Sequence, residues 1–278
     1  MPKEKTIDFK KENLPKNRFK QFFDILIHRF LDVFKISLLQ AIFVMPLLAT
    51  CVLFYIFIRG ATDKNTVMTV FLIQGLSLMI TIPIVYVGLT GTFYCFRKII
   101  HAESEYTSSS FFVGMKQEWG HGLLIGMIEG ISASATMIGL FFLFTYLPQL
   151  SASVSGIGIA MIIIQFILVT MFTYHCLAQL SVYKNPLRYV LKNSFLLMTM
   201  RFPFNLLFLL IHPGIFIALV CIMEITMYVG VVLFLLFSGI GYLIWMLNII
   251  SAFDKFINKE YHPEIYKKGL YIEEQKED

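Results

Sequence analysis

Six stretches of mainly apolar residues recur along this chain, at 37–58, 66–96, 120–147, 152–177, 203–223 and 226–250. Crossing the hydrocarbon core of a bilayer as a helix takes roughly 20 such residues. Without water, backbone polar groups must be satisfied inside the spanning element, which leaves helices or closed barrels. The alternating pattern of a barrel strand is missing, so the spans are predicted to be helical. The run from Pro203 to Ile250 must fold back, and the turn is expected near Glu224–Thr226. Composition agrees: 57% of residues are hydrophobic and 15% charged, against about 25% charged in soluble domains. The predicted fold class is an all-α polytopic membrane protein of about six transmembrane helices. Its expected parts are a hydrophilic leader at 1–16, one transmembrane domain at 17–252 and a cytoplasmic tail at 253–278. The leader has no apolar segment of the signal-peptide kind, so the first span is expected to direct insertion.

Lysine and arginine alternate with the spans. Nine precede the first span, three follow the second, four separate the fourth from the fifth and five close the chain. Arg59 and Lys64, between the first two spans, fall on the other side, and the remaining two loops carry none. The positive-inside rule therefore predicts cytoplasmic termini, with the 2–3 and 4–5 loops beside them. The net charge of +5 averages a basic inner face with a nearly chargeless outer one. Such a face suits an anionic inner leaflet. The basic residues flank spans and form no compact stripe, so nucleic acid is not an expected partner.

Aligning Lys35, Lys116 and Lys192 superimposes three apolar triplets: Phe30, Phe34, Leu38; Phe111, Met115, Trp119; and Leu187, Leu191, Phe195. Each triplet lies along one helical face just before a span. Ser110, and the Asn185–Pro186 pair, resemble helix starts. The pattern predicts short interfacial amphipathic helices on the cytoplasmic side and a threefold repeat of helix plus hairpin. Phe111, Lys116, Trp119, Arg188 and Lys192 are the candidate cytoplasmic docking surface.

Inside the spans, Glu129 stands out. It lies about 14 Å along the helix from Gly120 at the usual rise, on a face with Gly122, Gly126, Ala133 and Thr136. Small residues let membrane helices approach closely. Leu124, Met127, Ile128 and Ile131 occupy the other side, so Glu129 is expected to face the bundle. No Lys or Arg inside a span is there to pair with it, so its neutral form is expected. Ala152, Gly156 and Ala160 of the fourth span offer a matching small surface, with Gln165 the expected hydrogen-bond partner. Intramembrane ionisable groups are functional candidates, so Glu129, Gln165 and His212 form the candidate polar site. Kinks are expected at Pro83 and Pro213, and Gln74, Asn205 and Asn248 are read as interhelical hydrogen-bonding residues.

No nucleophile with a base at a usable spacing, metal-ligand cluster or glycine-rich phosphate loop is legible. Cys51, Cys95, Cys176 and Cys221 have no paired spacing, so no disulfide framework, metal or other cofactor is expected.

The segment from Ile82 to Ile128 carries Pro83 and Gly88, then the Phe93–Tyr94 pair before Arg97–Lys98. An acidic turn at Glu103 and Glu105 follows, then "FFVGMK" at the start of the next span. It resembles the YesL-like family of bacterial integral membrane proteins of unknown function, and "FDKFINKEYHPEIYKKGLY" at 253–271 is similar to the tails of some members. Two departures stand beside it: Leu89 replaces a second proline, and additional apolar sequence precedes Pro83. The resemblance implies a bacterial plasma membrane and a genomic setting near carbohydrate ABC transporters, and it brings no catalytic residues. The expected function is thus non-enzymatic, an accessory or regulator of a carbohydrate transport or sensing system. The expected partners are an ABC permease, a sensor kinase or a second copy. The alternative is a small transporter or channel with a polar path centred on Glu129.

Overall fold

The computed structural model describes residues 14–103, 107–146, 151–209 and 224–271. Its helices are α1 (Arg18–His28), α2 (Phe30–Gly60), α3 (Lys64–Ile100), α4 (Thr107–Tyr146), α5 (Ala152–Val182), α6 (Leu187–Met200), α7 (Phe202–Leu209) and α8 (Glu224–Phe253). A π-helical turn at Asp254–Asn258 and a last α turn at Lys259–Tyr261 follow. Among the described residues five helical segments are long and apolar enough to cross a membrane: Phe30–Gly60, Lys64–Ile100, Thr107–Leu143, Ser153–Val182 and Leu235–Tyr261. They match the first four expected spans and the sixth. Of the expected fifth span only residues 203–209 are described, in α7; the rest, with His212 and Pro213, lies outside the described residues.

The first two lysine-centred triplets do not sit on separate interfacial helices. Phe30–Leu38 and Phe111–Trp119 belong to the unbroken α2 and α4, because no helix-ending residue separates them from the spans. The third does stand apart, on α6, which ends where Arg201 caps it and Pro203 follows. Helix α4 starts at Thr107, ahead of Ser110, and Pro186 rather than Asn185 occupies the cap position of α6.

Helices α3 and α4 form the closest pair in the bundle, and glycines explain it. A Cβ at Gly122 would lie 2.5 Å from the Thr90 methyl, and one at Gly126 would lie 2.6 Å from Pro83 Cα. At Gly91 it would lie 2.6 Å from the Phe111 carbonyl oxygen. The glycines of α4 at 122, 126 and 130 thus pack on α3 instead of α5. Gly156 on α5, expected to meet that face, has nothing within 4 Å of its would-be Cβ, and Ala160 is exposed. Pro83 lies inside the continuous α3, buried against Gly126 and Gly130. Its turn packs on α4, while Leu78 and Ile82 of the same stretch line an apolar cavity.

Side-chain amides and hydroxyls join the other helices. Gln40 on α2, 1% exposed, donates to the Val85 carbonyl (3.2 Å) and accepts from Thr92 (3.1 Å) in the notch left by Gly88. Ser37 accepts from the Gly239 backbone N–H (2.9 Å), joining α2 to α8. The outward residues are apolar: Ile56, Phe57, Ile73, Ile80, Ile131 and Ile164 are all more than half exposed. So extensive an apolar exterior is consistent with a membrane protein.

At one end of the bundle α1, the α3–α4 connection, the end of α5 and the segment after α8 are bound together. Arg18 reaches Asp254 at 2.7 Å, both side chains being 10% exposed, and also donates to the Lys268 carbonyl (3.1 Å). Gln21 donates to the carbonyls of Ile100 (2.7 Å) and Gly269 (3.1 Å). Asp254 accepts from Asn258 (2.9 Å) and the Lys267 backbone (3.1 Å), and the Tyr183 hydroxyl donates to Asn258. Gly269 has φ +81, and a Cβ there would fall 2.0 Å from the Ile100 oxygen, so this close approach requires glycine. Lys268 bridges to Glu103 at 2.7 Å. Burial would raise the Glu103 carboxyl, but the Lys268 hydrogen bond and the charges of Arg97 and Lys268 hold it below its ordinary value. The segment 254–271 is therefore folded back as part of the bundle.

Two predictions arise from this packing. Gly126→Ala should destabilise the protein by about 1–3 kcal/mol, since backbone stands where the methyl would go, while Gly156→Ala should be neutral or slightly stabilising. Thermal unfolding in one detergent compares them. The second concerns His101, which burial pushes from 6.5 down to about 4; Arg18, Arg97 and Lys268 add to this and Glu103 opposes it. Unfolded chain takes up this proton below pH 6.5, whereas the folded imidazole resists until about 4. Stability should therefore fall as pH drops across that window, by on the order of 3 kcal/mol. His101→Gln should flatten the dependence, read as melting temperature against pH.

Candidate functional site

Glu129 lies on α4 with 5% of its surface exposed, facing α5 and α3. Thr170 donates to its Oε1 at 2.6 Å, and Thr173 lies 3.3 Å from its Oε2. The Tyr86 hydroxyl of α3 stands 2.7 Å from the Thr173 oxygen. One hydroxyl proton serves one acceptor at a time. A consistent arrangement has Tyr86 donating to Thr173 and Thr173 donating to Glu129. If Glu129 holds a proton, the same chain runs the other way. The cluster thus accommodates either protonation state by turning hydroxyl rotors, without moving a helix.

The helical geometry accounts for the cluster. Thr170 and Thr173 are three residues apart on α5 and share one face. Tyr86 approaches because Gly126, one turn before Glu129, admits its Cβ within 2.7 Å of where a side chain would begin. Without that glycine the aromatic ring would be held away from the carboxyl group.

Gln165 is not the partner of Glu129. It donates to Ser132 (2.7 Å) and accepts weakly from Thr136 (3.4 Å), roughly a turn farther along both helices. The reason is register: with α4 and α5 antiparallel, Glu129 comes level with Thr170 and Thr173, and Gln165 comes level with Ser132. An apolar cavity of about 850 Å³ between α2, α3, α4 and α5 is lined in part by Ala133, Thr136, Phe141 and Phe166. His212 lies outside the described residues.

A second polar chain was not legible in the sequence. His175, fully buried on α5, has Nδ1 2.9 Å from the Met171 carbonyl, a helical neighbour four residues back. Its Nε2 lies 3.4 Å from the Asn205 amide nitrogen. Asn205 accepts from Asn248 across α7 and α8 (2.9 Å), and Arg201 donates to the Asn248 carbonyl (3.0 Å). The interhelical role read for Asn205 and Asn248 is thus a direct bond between them. His175 gave no signal because its partner lies 30 residues away on another helix.

The expected docking residues separate. Phe111 is fully buried against Phe43 and Gly91, so it belongs to the core. The close α3–α4 approach encloses it. Trp119 is 59% exposed, and Lys116, Arg188 and Lys192 are exposed as well. Tyr189 and Phe195 join them on α6 at 58% and 56%. Among the described residues no group of three or more His, Cys, Asp or Glu is placed to hold a metal ion. Among the described residues Cys51, Cys95 and Cys176 form no disulfide.

No family model, curated protein or solved structure matches the chain.

Thr170→Val should destabilise the protein by about 1–3 kcal/mol, because it removes a donor from a buried carboxyl group. Glu129→Gln should cost less than Glu129→Ala, since the amide still accepts from Thr170 and fills the space. Chemical or thermal unfolding of the three variants in one detergent orders them.

Proposed function

We propose that this chain is a non-enzymatic, six-span protein of a bacterial plasma membrane, with both termini cytoplasmic, that works by binding a protein partner at its basic end. The partner class is an ABC permease or a sensor kinase of a carbohydrate transport or sensing system. That class rests on the resemblance of residues 82–128 and 253–271 to the YesL-like family. The six-span count and the orientation rest on the apolar runs and the distribution of lysine and arginine.

The observation that carries the partner reading is the exposure of aromatic and basic side chains on two helices, Trp119 and Lys116 on α4 and Tyr189, Phe195, Arg188 and Lys192 on α6. Aromatic residues and arginine are the side chains most enriched in binding hot spots. Here they stand on helices whose opposite sides are buried, and the ties of Arg18, Gln21 and Asp254 brace that end. A surface held this way binds with little ordering cost. A transport path centred on Glu129 is the second reading, favoured by the presence of a carboxyl group in the bundle interior.

Photo-cross-linking residues placed at Trp119 and Tyr189, in cells carrying the intact protein, test the first reading. A single protein adduct is expected at both positions and none at Met161 on the outer half of α5. Adducts to lipid alone at all three positions would overturn it. The second reading requires an ionisable group at position 129. Full activity of Glu129→Gln in the same cells would exclude it.

A further inference from the structure

Gln179 on α5 is fully buried, and neither its Nε2 nor its Oε1 has a hydrogen-bond partner. A buried carboxamide left unpaired is costly and uncommon in native structures. Its surroundings suggest why it is there. Gln179 sits in the wall of a cavity of about 370 Å³ at the basic end, between the last turn of α5, α6 and the π-helical segment after α8. Asn185 and Asn193 also border it, so three carboxamides converge on one space. Leu197, Met200 and Phe256 form its apolar side.

The chemistry of the lining selects a ligand class. Among the described residues no Lys, Arg, Asp or Glu lines the cavity, and Tyr183, Tyr261 and His262 complete its polar lining, so no permanent charge there compensates a charged ligand. Each carboxamide both donates and accepts. The group that answers several such side chains at once is a set of hydroxyls, since each hydroxyl also donates and accepts. The apolar side fits the C–H face of the same molecule. We propose that this cavity binds a neutral polyhydroxylated ligand, with the Gln179 amide donating to one hydroxyl and accepting from its neighbour. Gln179 is enclosed in the cavity wall, so its amide turns about its own side-chain torsions to meet the ligand. Two sources supply this chemistry: a free sugar from the aqueous side, or the uncharged headgroup of a glycolipid entering past Met200, which is 59% exposed.

The inference does not depend on the partner reading, because it is tested on the purified protein alone. The protein is reconstituted in phosphatidylcholine nanodiscs, free of glycoside detergent, and titrated with glucose, octyl glucoside and octylphosphocholine. Saturable binding of glucose and octyl glucoside indicates a free-sugar site. Binding of octyl glucoside in excess of octylphosphocholine, without glucose, indicates a lipid headgroup. Equal response to the two octyl compounds with none to glucose overturns the proposal, as does no binding at all.

Gln179→Leu should lower the affinity at least about tenfold, the equivalent of losing one good hydrogen bond. The same variant should leave the melting temperature of the protein without ligand unchanged or raise it, because an unpaired buried amide has been removed. A clear fall in melting temperature would mean that the amide is a structural group, and would overturn the proposal. Met200→Trp, at an exposed position on the cavity rim, should weaken binding by obstructing entry while leaving the fold intact. Undiminished binding in both variants would likewise refute the assignment.

Discussion

The approach of α4 to α3 is the contact on which the rest of the bundle depends. In lipid there is little hydrophobic gain from bringing two apolar helices together, so close packing and hydrogen bonds must supply the attraction. Glycines at 91, 114, 122, 126 and 130 let the two backbones come near enough for that packing along most of their length. The same approach buries Phe111, brings Tyr86 over the start of the polar cluster and aims Glu129 at α5. Residues as different as a core phenylalanine and an intramembrane carboxyl group are thus positioned by one row of missing side chains.

Polar groups inside the bundle follow a consistent rule. Gln40, Ser37, Glu129, Gln165 and Asn205 each cross to a neighbouring helix and find a partner there. These bonds fix which helices neighbour one another and in what register, a task that uniform apolar packing performs poorly. At the end of the bundle that holds α1 and the segment after α8 the pattern changes. There the bonds run between Arg18, Gln21, Asp254 and the backbone of the 267–269 turn, and they hold both ends of the described chain together. A buried ion pair of this kind is weak evidence of net stability, but removing one partner leaves an uncompensated charge.

Much of this was legible in the sequence. The helices α2 to α5 and α8 follow from apolar length. The outward direction of Leu124, Met127, Ile128 and Ile131 follows from helical period, and all four are exposed on α4. That Glu129 faces inward was readable from its glycine-lined side. Its partner was not, because choosing between Gln165 and Thr170 requires the register of two antiparallel helices to within a turn, and no local pattern encodes that. His175 and Gln179 were overlooked for a related reason. A single polar residue in an apolar run has the same appearance whether it is hydrogen-bonded to another helix or left facing a cavity.

By itself, the sequence determined that the described residues are helical and how long their apolar helices are. These depend on composition and on period along one segment. The tertiary structure alone decided that α4's glycines meet α3, that Phe111 is core while Trp119 is surface, and that the segment after Phe253 closes on α1. These depend on which helices lie side by side, and that is fixed by contacts between residues as far apart as Arg18 and Asp254. Only once those distant segments are brought together do their side chains become a site.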